Sequence, residues 1–400
     1  MGSYTAAGPR VWPITPDWTA GVQETLAWLT DVLQANATAS TQHRGLRIAP
    51  RRRLSCELLA GGQERRVAEM LLAGHGGAWL LPIWPDGQVL AGALAAGVDI
   101  VPCDTDGRDF VAGGQALLLD AVNAWEVVDV DTIAAGYLAL AAPTLAAHGA
   151  GARLYPLRRA TVQDDAQERL RSDDTGRRSI SFDIAEPCDW PELASPPSYL
   201  GHPVLDVPPD ESDDPTASYA RLVQRLDYDA ALPLVHDLAG VALRAQQMLV
   251  KPFGRAQHTW LRSLLYTLQG RRVPMWIPSF AADLLPAATL AGSSTSLSVQ
   301  WAGYTLFGLG KPNRKDLRIE LHDGTVYYRR VNAAVEAGST ETLTLSASLS
   351  GSAIAAGAVR RISFMALSTL ASDEVEIDHL TDQDGVAMAT LGWQAVVPDV

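Results

Sequence analysis

Residues 255–278, RAQHTWLRSLLYTLQGRRVPMWIP, carry the clearest structural pattern in the chain: a helix-forming segment followed by a short apolar run. Large apolar side chains recur at helical spacing, which predicts an amphipathic helix over 255–268. Gln269-Gly270 ends this helix, and the apolar run that closes on Pro278 is typical of a strand. The apolar stripe of the helix consists of Trp260, Leu261, Leu264, Leu265 and Leu268.

The same order of helix, glycine break and apolar strand occurs earlier, in residues 63–84, QERRVAEMLLAGHGGAWLLPIW. Aligning the two segments places Trp84 at the position of Trp276. Later matches follow in the same order: 117–119, 125–128, Gly136 and 153–157 match 317–319, 327–330, Gly338 and 361–365. Similarity at one long period predicts an internal duplication. The alternative is that strand–helix–strand patterns in a Trp-rich chain align by chance.

The repeat suggests two domains, at residues 1–160 and 216–400, which agrees with about 150 residues per domain. Between them, residues 161–215 are rich in Pro and Asp, including Asp164-Asp165 and Asp173-Asp174. Such composition predicts a linker or docking arm. Within and after this arm, 199–205 could dock as an ordered segment, and 216–226 could form a short helix.

The C-terminal region alternates apolar and polar residues, which predicts strands. Asp323-Gly324 fits a tight hairpin turn between two of them because glycine tolerates positive φ. The predicted strands are 316–320, 326–331, 341–345 and 359–365, with 373–379 as an edge strand. The chain is therefore expected to be mainly β (α+β), with one clear helix in each half.

Composition excludes several classes of protein. Among 400 residues, 32 Lys and Arg against 45 Asp and Glu give a net charge of −13, unlike a protein that coats nucleic acid. No apolar stretch of about 18 residues occurs, so we expect no membrane span, and the N-terminus lacks a signal-peptide pattern. Cys56, Cys103 and Cys188 are far apart and odd in number, as expected for reduced thiols in a cytosol.

Charged residues make up 19% of the chain, below the roughly 25% of typical soluble domains, whereas 11 residues are Trp. A surface with few charges is expected where subunits meet. No GxSxG or HExxH motif occurs, and the acidic turns at 104–109 and 382–385 do not continue into a calcium-binding loop. We therefore predict a non-enzymatic protein with no cofactor and no metal.

Basic residues concentrate in one stretch, which includes Arg44, Arg47, Arg51 and Arg52. This cluster is either a solvated loop or an inter-subunit contact in which guanidinium groups meet a neighbour's carboxylates. Trp84 and Trp276 are either core residues or interface anchors. These six residues are the candidate interface.

Short motifs over most of the chain resemble tail-tip proteins of tailed bacteriophages with long, non-contractile tails. They are 28–33 (WLTDVL), 42–44 with Arg47 and 50–52, 199–205 (YLGHPVL), 270–279 (GRRVPMWIPS), 283–284, 361–365 (RISFM) and 371–373. The resemblance implies two tail-tube-like β-sandwich domains, each with a flanking helix. It also implies a distal-tail or baseplate-hub role, in which a ring joins the tail tube to the hub and receptor-binding parts.

The partners implied by this resemblance are the protein itself, as a pseudo-sixfold trimer or a hexamer, the tail tube protein, the hub, and tail-fibre or receptor-binding proteins. DNA would only pass through the channel, because an acidic or neutral lining would repel the DNA backbone or leave it unbound. The expected location is the virion tail tip, after assembly in the bacterial cytoplasm. The alternatives are a carbohydrate- or receptor-binding module and a cell-wall hydrolase.

Overall fold

The computed structural model describes residues 8–35, 38–163, 167–190, 196–230 and 232–397. Over these residues the protein is mainly β, as predicted, with large antiparallel sheets and two α-helices of more than ten residues. Asp164-Asp165, part of the predicted linker, lie outside the described residues. Neither α-helix in the described part of the chain is long and apolar enough to cross a membrane.

The described residues of the first half form fourteen strands and helix α1 (Gly62–Gly74). The strands are β1 (Arg10–Val11), β2 (Val22–Ala27), β3 (Thr30–Gln34), β4 (Thr41–Gly45), β5 (Arg51–Gly61), β6 (Trp79–Pro82), β7 (Gln88–Val89), β8 (Ile100–Pro102), β9 (Gln115–Ala121), β10 (Ala124–Ala134), β11 (Tyr137–Leu140), β12 (Arg153–Val162), β13 (Glu168–Leu170) and β14 (Thr175–Ile184).

Twelve strands and helix α2 (Arg255–Leu268) lie in the part of the second half that the structure describes. The strands are β15 (Ser198–Tyr199), β16 (His202–Pro203), β17 (Thr216–Leu226), β18 (Leu234–Val250), β19 (Met275–Pro278), β20 (Ser296–Gln300), β21 (Asp316–Leu321), β22 (Val326–Ala337), β23 (Thr340–Leu345), β24 (Val359–Leu370), β25 (Glu374–His379) and β26 (Ala387–Ala395).

The two halves repeat one pattern of antiparallel strand pairing. In the first half β12 pairs with β6, β9 and β14, and the series continues through β9–β10, β10–β11, β11–β8 and β14–β5. In the second half β24 pairs with β19, β21 and β26, followed by β21–β22, β22–β23, β23–β20 and β26–β18. The register shifts at corresponding places in β10 and β22. The similarity of the halves therefore extends to their pairing order.

This pairing corrects the alignment of the two tryptophans. Pro82 pairs with Leu157 as Pro278 pairs with Met365, so the two prolines occupy corresponding places. Trp276 therefore lies within strand β19, whereas Trp84 lies beyond the corresponding strand, in a 3₁₀ turn. The sequence alignment was wrong here because the turns between helix and strand differ in length.

Both predicted helices are confirmed, but they are buried to different extents. Helix α2 buries Leu261, Leu264, Leu265 and Leu268, whereas α1 buries only Ala68. The predicted C-terminal strands are also present, and Gly324 turns between β21 and β22 with a φ of +88°.

The linker prediction is wrong for much of its length. The boundary at residue 160 falls inside β12, and β14 pairs with β5 over nine residues, so 168–184 belongs to the first half's sheet. Asp173-Asp174 forms the turn before β14 rather than part of a linker. The predicted helix at 216–226 is a strand, because its backbone pairs with β18 along almost its whole length.

The predicted docking segment is ordered against β19. Trp276 Nε1 donates a hydrogen bond to the Tyr199 carbonyl at 2.9 Å, and the Leu205 N–H donates to the Trp276 carbonyl at 3.0 Å. Tyr199 also donates from its hydroxyl to Asp316 at 2.7 Å. The segment therefore covers Trp276 and completes its burial.

Candidate assembly interface

The two halves meet where strand β2 pairs with strand β25. Six residue pairs, from Val22 with His379 to Ala27 with Glu374, form this antiparallel ladder. Because β2 also pairs with β5, and β25 with β26, the sheets of the two halves become continuous. Strand β25 is thus an interior strand, not the predicted edge strand. The order along the joined sheet is β17–β18–β26–β25–β2–β5–β14–β13.

Helix α2 lies over this junction and packs on residues of both halves. Leu26 and Trp28 of the first half share one core with Leu261 and Leu265 of α2. Val375 and Ile377, from β25, belong to the same core. The apolar stripe that predicts the helix therefore also joins the two halves.

A cluster of buried charges crosses the same junction. In α2, Arg262 donates to Asp86 Oδ2 at 2.8 Å and to Glu24 Oε2 at 3.2 Å, and Arg255 donates to Asp86 Oδ1 at 2.9 Å. Arg52 pairs with Glu24 and with Asp109. Each buried carboxylate has guanidinium partners, as burial of charge requires.

Burial alone would raise the carboxyl pKa values, but these partners reverse the effect. The guanidinium groups of Arg52 and Arg262 hold the pKa of Glu24 well below its ordinary value. In the same way Arg262 and Arg255 lower the pKa of Asp86. Both carboxylates are therefore charged at pH 7.

Two histidines in contact complete the cluster. His379 lies 2.7 Å from Glu24 Oε2, and its Nδ1 lies 3.2 Å from Nε2 of His258. Burial, followed by the nearby charge of Arg262, holds the pKa of His258 well below its ordinary value. Burial also lowers the pKa of His379, against the opposing effect of Glu24. The pair is therefore neutral at pH 7.

A loop of the first half, residues 103–114 between β8 and β9, packs on α2. Gly107 has a φ of +64°, and a side chain there would place its Cβ 1.8 Å from Thr259 Oγ1 in α2. Next to it, Arg108 donates to the carbonyls of Asp86 and Gly87. Only glycine fits this contact, because both the backbone angle and the space require it.

Two strands correspond to β2 and β25 in the repeated pattern, and each has a free edge. Strand β17 adjoins β18 as β2 adjoins β5, and β13 adjoins β14 as β25 adjoins β26. Within the part of the chain that the structure describes, β17 pairs only with β18, and β13 only with β14. Almost every side chain of β17 is exposed. The joined sheet therefore ends in unpaired strands that match its own internal junction.

The candidate residues from the sequence lie apart from these edges. Arg52, Trp84 and Trp276 are buried, so the prediction that they contact another subunit is wrong. Arg44 and Arg51 are exposed, and Arg47 is half-buried and donates to the Ala27 carbonyl at 3.4 Å. A role of these three in an interface stays a prediction.

Sequence reasoning missed Glu24, Asp86 and Arg262. They come from three distant segments, so their spacing along the chain carries no signal. Arg262 also lies outside the apolar stripe of the helix, roughly 100° around the helix from Leu261, so the helical pattern does not predict its burial.

The tryptophans lie mainly in the cores. Six are buried, three are half-buried, and Trp125 and Trp301 are exposed, one in each half. The buried ones are Trp12, Trp28, Trp79, Trp84, Trp276 and Trp393. Most of the tryptophan excess therefore serves packing.

No protein-family model matches this chain, and no curated protein shows significant similarity to it. Among the described residues, no group of three or more His, Cys, Asp or Glu side chains is placed to hold a metal ion. Inference about function therefore depends on the geometry of the junction and the free edges.

Proposed function

We propose that this protein is a structural subunit of a phage tail tip, of the distal-tail or baseplate-hub type, whose copies join edge to edge into a ring. The β2–β25 junction carries the proposal, because the strands that correspond to β2 and β25 have free edges at the two ends of the same sheet. The proposal of a phage tail tip rests on the sequence motifs, and the proposal of edge-to-edge assembly is supported by the geometry of the sheet.

In this ring, β17 of one copy pairs with β13 of the next, as β2 pairs with β25 inside each chain. Such a contact joins two different surfaces, and head-to-tail contacts form a ring when the rotation between copies closes and a filament when it does not. Long exposed edge strands are aggregation hazards that natural proteins usually cover. Pairing in a ring would cover the part of the eleven-residue strand β17 that lies opposite the three residues of β13.

Three chains fit the ring better than six. Because β2 and β25 place both halves in one continuous sheet, both halves belong to the same wall. Three chains would then provide six similar units and a pseudo-sixfold ring. A hexamer with one half inside and the other outside would require the halves to lie in separate walls.

The face of the sheet away from the helices would line the channel. On β25, Glu374, Glu376 and Asp378 alternate with residues buried under α2 and so point to this face. Neighbouring strands add Ser, Thr and Gln together with Arg51, Arg53 and Arg177, and the last two pair with Asp183 and Glu57. A lining of mixed charge without a basic excess supports passage of DNA without tight binding.

The test is to measure the mass of the purified full-length protein and to image the particles by electron microscopy. We expect rings of three chains with an open channel wide enough for double-stranded DNA. A chain that stays monomeric at every concentration, or a closed particle with no channel, would contradict the proposal.

A further inference from the structure

The loop on α2 has a counterpart in the second half, and several apolar side chains of that counterpart are exposed in the part of the chain that the structure describes. Residues 301–315 connect β20 to β21, as residues 103–114 connect β8 to β9. The first part of this connection, residues 301–309, is here called the apolar loop. Its exposed side chains are Trp301, Leu306, Phe307 and Leu309, and Phe307 is 74% exposed.

The apolar loop is held rigidly in this exposed conformation. Glu341, fully buried, accepts hydrogen bonds from the backbone N–H groups of Ala302, Tyr304 and Thr305 at 2.9, 3.0 and 2.6 Å. The Tyr304 hydroxyl donates to the Arg314 carbonyl at 2.9 Å. A loop fixed by a buried carboxylate presents its apolar side chains at little cost in conformational entropy on binding.

Helix α1 has a matching apolar surface. Val67, Met70 and Leu71, with the stems of Arg10, Gln63 and Arg66, line a depression of about 350 Å³, here called the α1 groove. Met70 is 72% exposed. Helix α2, which corresponds to α1, is covered at its junction by the loop that contains Gly107. Among the residues that the structure describes, none is placed over the α1 groove as the Gly107 loop is placed over α2.

Each surface lies beside the free edge on its side of the molecule. Arg314, which follows the apolar loop, donates to the hydroxyl of Tyr219 in β17, and Asn313 donates to the Ala242 carbonyl in β18. On the other side, Arg65 of α1 donates to Glu168 of β13 at 3.0 Å. Pairing β17 with β13 would therefore bring the apolar loop of one copy over α1 of the next.

From this arrangement we infer that the apolar loop of one copy binds the α1 groove of the next copy, as the loop around Gly107 binds α2 within each chain. The occupant of the groove is a second copy of this chain. The inference rests on the proposed ring. It adds the side-chain contact that fixes which end of one copy joins which end of the next. The contact is apolar, in contrast to the charged cluster inside the chain.

The test uses two variants that each damage one surface. Phe307→Glu keeps an intact α1 groove, and Met70→Glu keeps an intact apolar loop. Each change places a charge where an apolar side chain would be buried, so each should weaken association at least about tenfold. Mixing the two variants leaves one intact contact, so a one-to-one dimer that grows no further should form. Sedimentation velocity measures both results.

The matched control is Leu145→Glu, at a side chain that is 89% exposed and lies in neither surface. It should assemble like the unchanged protein, and all three variants should keep its melting temperature. If Phe307→Glu and Met70→Glu still form rings with unchanged affinity, the inference is wrong and the ring stands. Two variants that fail alone but give no dimer when mixed also overturn it. An unchanged protein that forms no ring overturns the proposed function itself.

Discussion

Arg262, on the helix of the second half, donates a hydrogen bond to Asp86 of the first half at 2.8 Å, and both side chains are almost completely excluded from water. This pair fixes the orientation of the two halves because neither charge has access to solvent. Buried ion pairs contribute little net stability, but breaking one leaves an uncompensated charge. The relative position of the halves is therefore specified more sharply than apolar packing alone would require.

Replacing Asp86 with Asn should destabilise the protein by about 3–5 kcal/mol, because Arg255 and Arg262 would lose a buried carboxylate. The control is Asp183→Asn, which removes the partner of Arg53 in a half-exposed pair and should cost at most about 1 kcal/mol. Urea unfolding gives both free energies of unfolding. Similar losses in the two variants would show that the junction cluster has no special role.

The free energy of unfolding should decrease as the pH falls below 6.5, the ordinary value for histidine. Since the folded state holds the pKa of His258 and His379 below that value, the unfolded chain binds more protons in this range. Carboxylates with lowered pKa, such as Glu24, add a separate loss only below about 4.5.

This pH dependence can be assigned with variants. His258→Gln together with His379→Gln should flatten the decrease between pH 7 and 5.5 in urea unfolding experiments. His236→Gln, at an exposed position on β18, is the control and should keep the slope. Stability that stays constant or rises as the pH falls in the unchanged protein would refute the assignment.

Gly107→Ala should destabilise the junction, because the new methyl group would meet Thr259 of α2. We expect a loss of about 1–3 kcal/mol from overpacking, in addition to about 1 kcal/mol from the positive φ. Gly113→Ala isolates the second effect, since Gly113 also has a positive φ but open space around it. Thr259→Ala should recover part of the loss at Gly107. Thermal unfolding compares the four proteins, and equal losses at the two glycines would exclude the close contact.

Changing Glu374, Glu376 and Asp378 together to Lys should make the ring bind DNA through its channel. A basic lining would bind phosphates, with affinity that falls as salt increases. Linear duplexes can enter a channel and closed circles cannot, so this variant should retain only linear DNA in a gel-shift experiment.

The control for the channel places the same charges on an exposed segment, with Glu211, Asp213 and Asp214 changed to Lys. This variant should bind linear and circular DNA equally. If the β25 variant also binds both forms equally, the face that carries these three carboxylates does not line a channel.

Helical and alternating patterns along the chain predict the helices and strands whose conformation depends on neighbouring residues in the sequence. The stripe around Leu264 predicted α2, and the alternation after Asp316 predicted the C-terminal strands. The prediction failed where a distant partner decides the conformation. Residues 216–226 form a strand because β18 pairs with them, and residues 175–184 join a sheet in spite of the acidic turn before them.

The candidate site shows the same division more strongly. Arg52 looked like one of several surface arginines, but it lies on the inward face of β5 and contacts Glu24 and Asp109. Alternation within β5 places its even-numbered residues inward, so the burial of Arg52 follows once the strand is known. The sequence does not predict the two partners of Arg52, because β2 and the loop before β9 approach it only in the folded chain.

The pairing of β2 with β25 also sets the order in which the protein can be completed during synthesis. Glu24 and His379 are 355 residues apart, so the ribosome releases one end of the junction long before the other. Until α2 emerges, Asp86 lacks Arg255 and Arg262, and Glu24 has only Arg52 of its two arginine partners. Until β25 emerges, the outer edge of β2 lacks the strand that pairs with it. A neighbouring nascent chain exposes the same edge of β2, so β25 of one chain could pair with β2 of another. Such pairing would be a domain exchange. The ends of the sheet can therefore join other copies correctly only after the C-terminal strands have joined its middle.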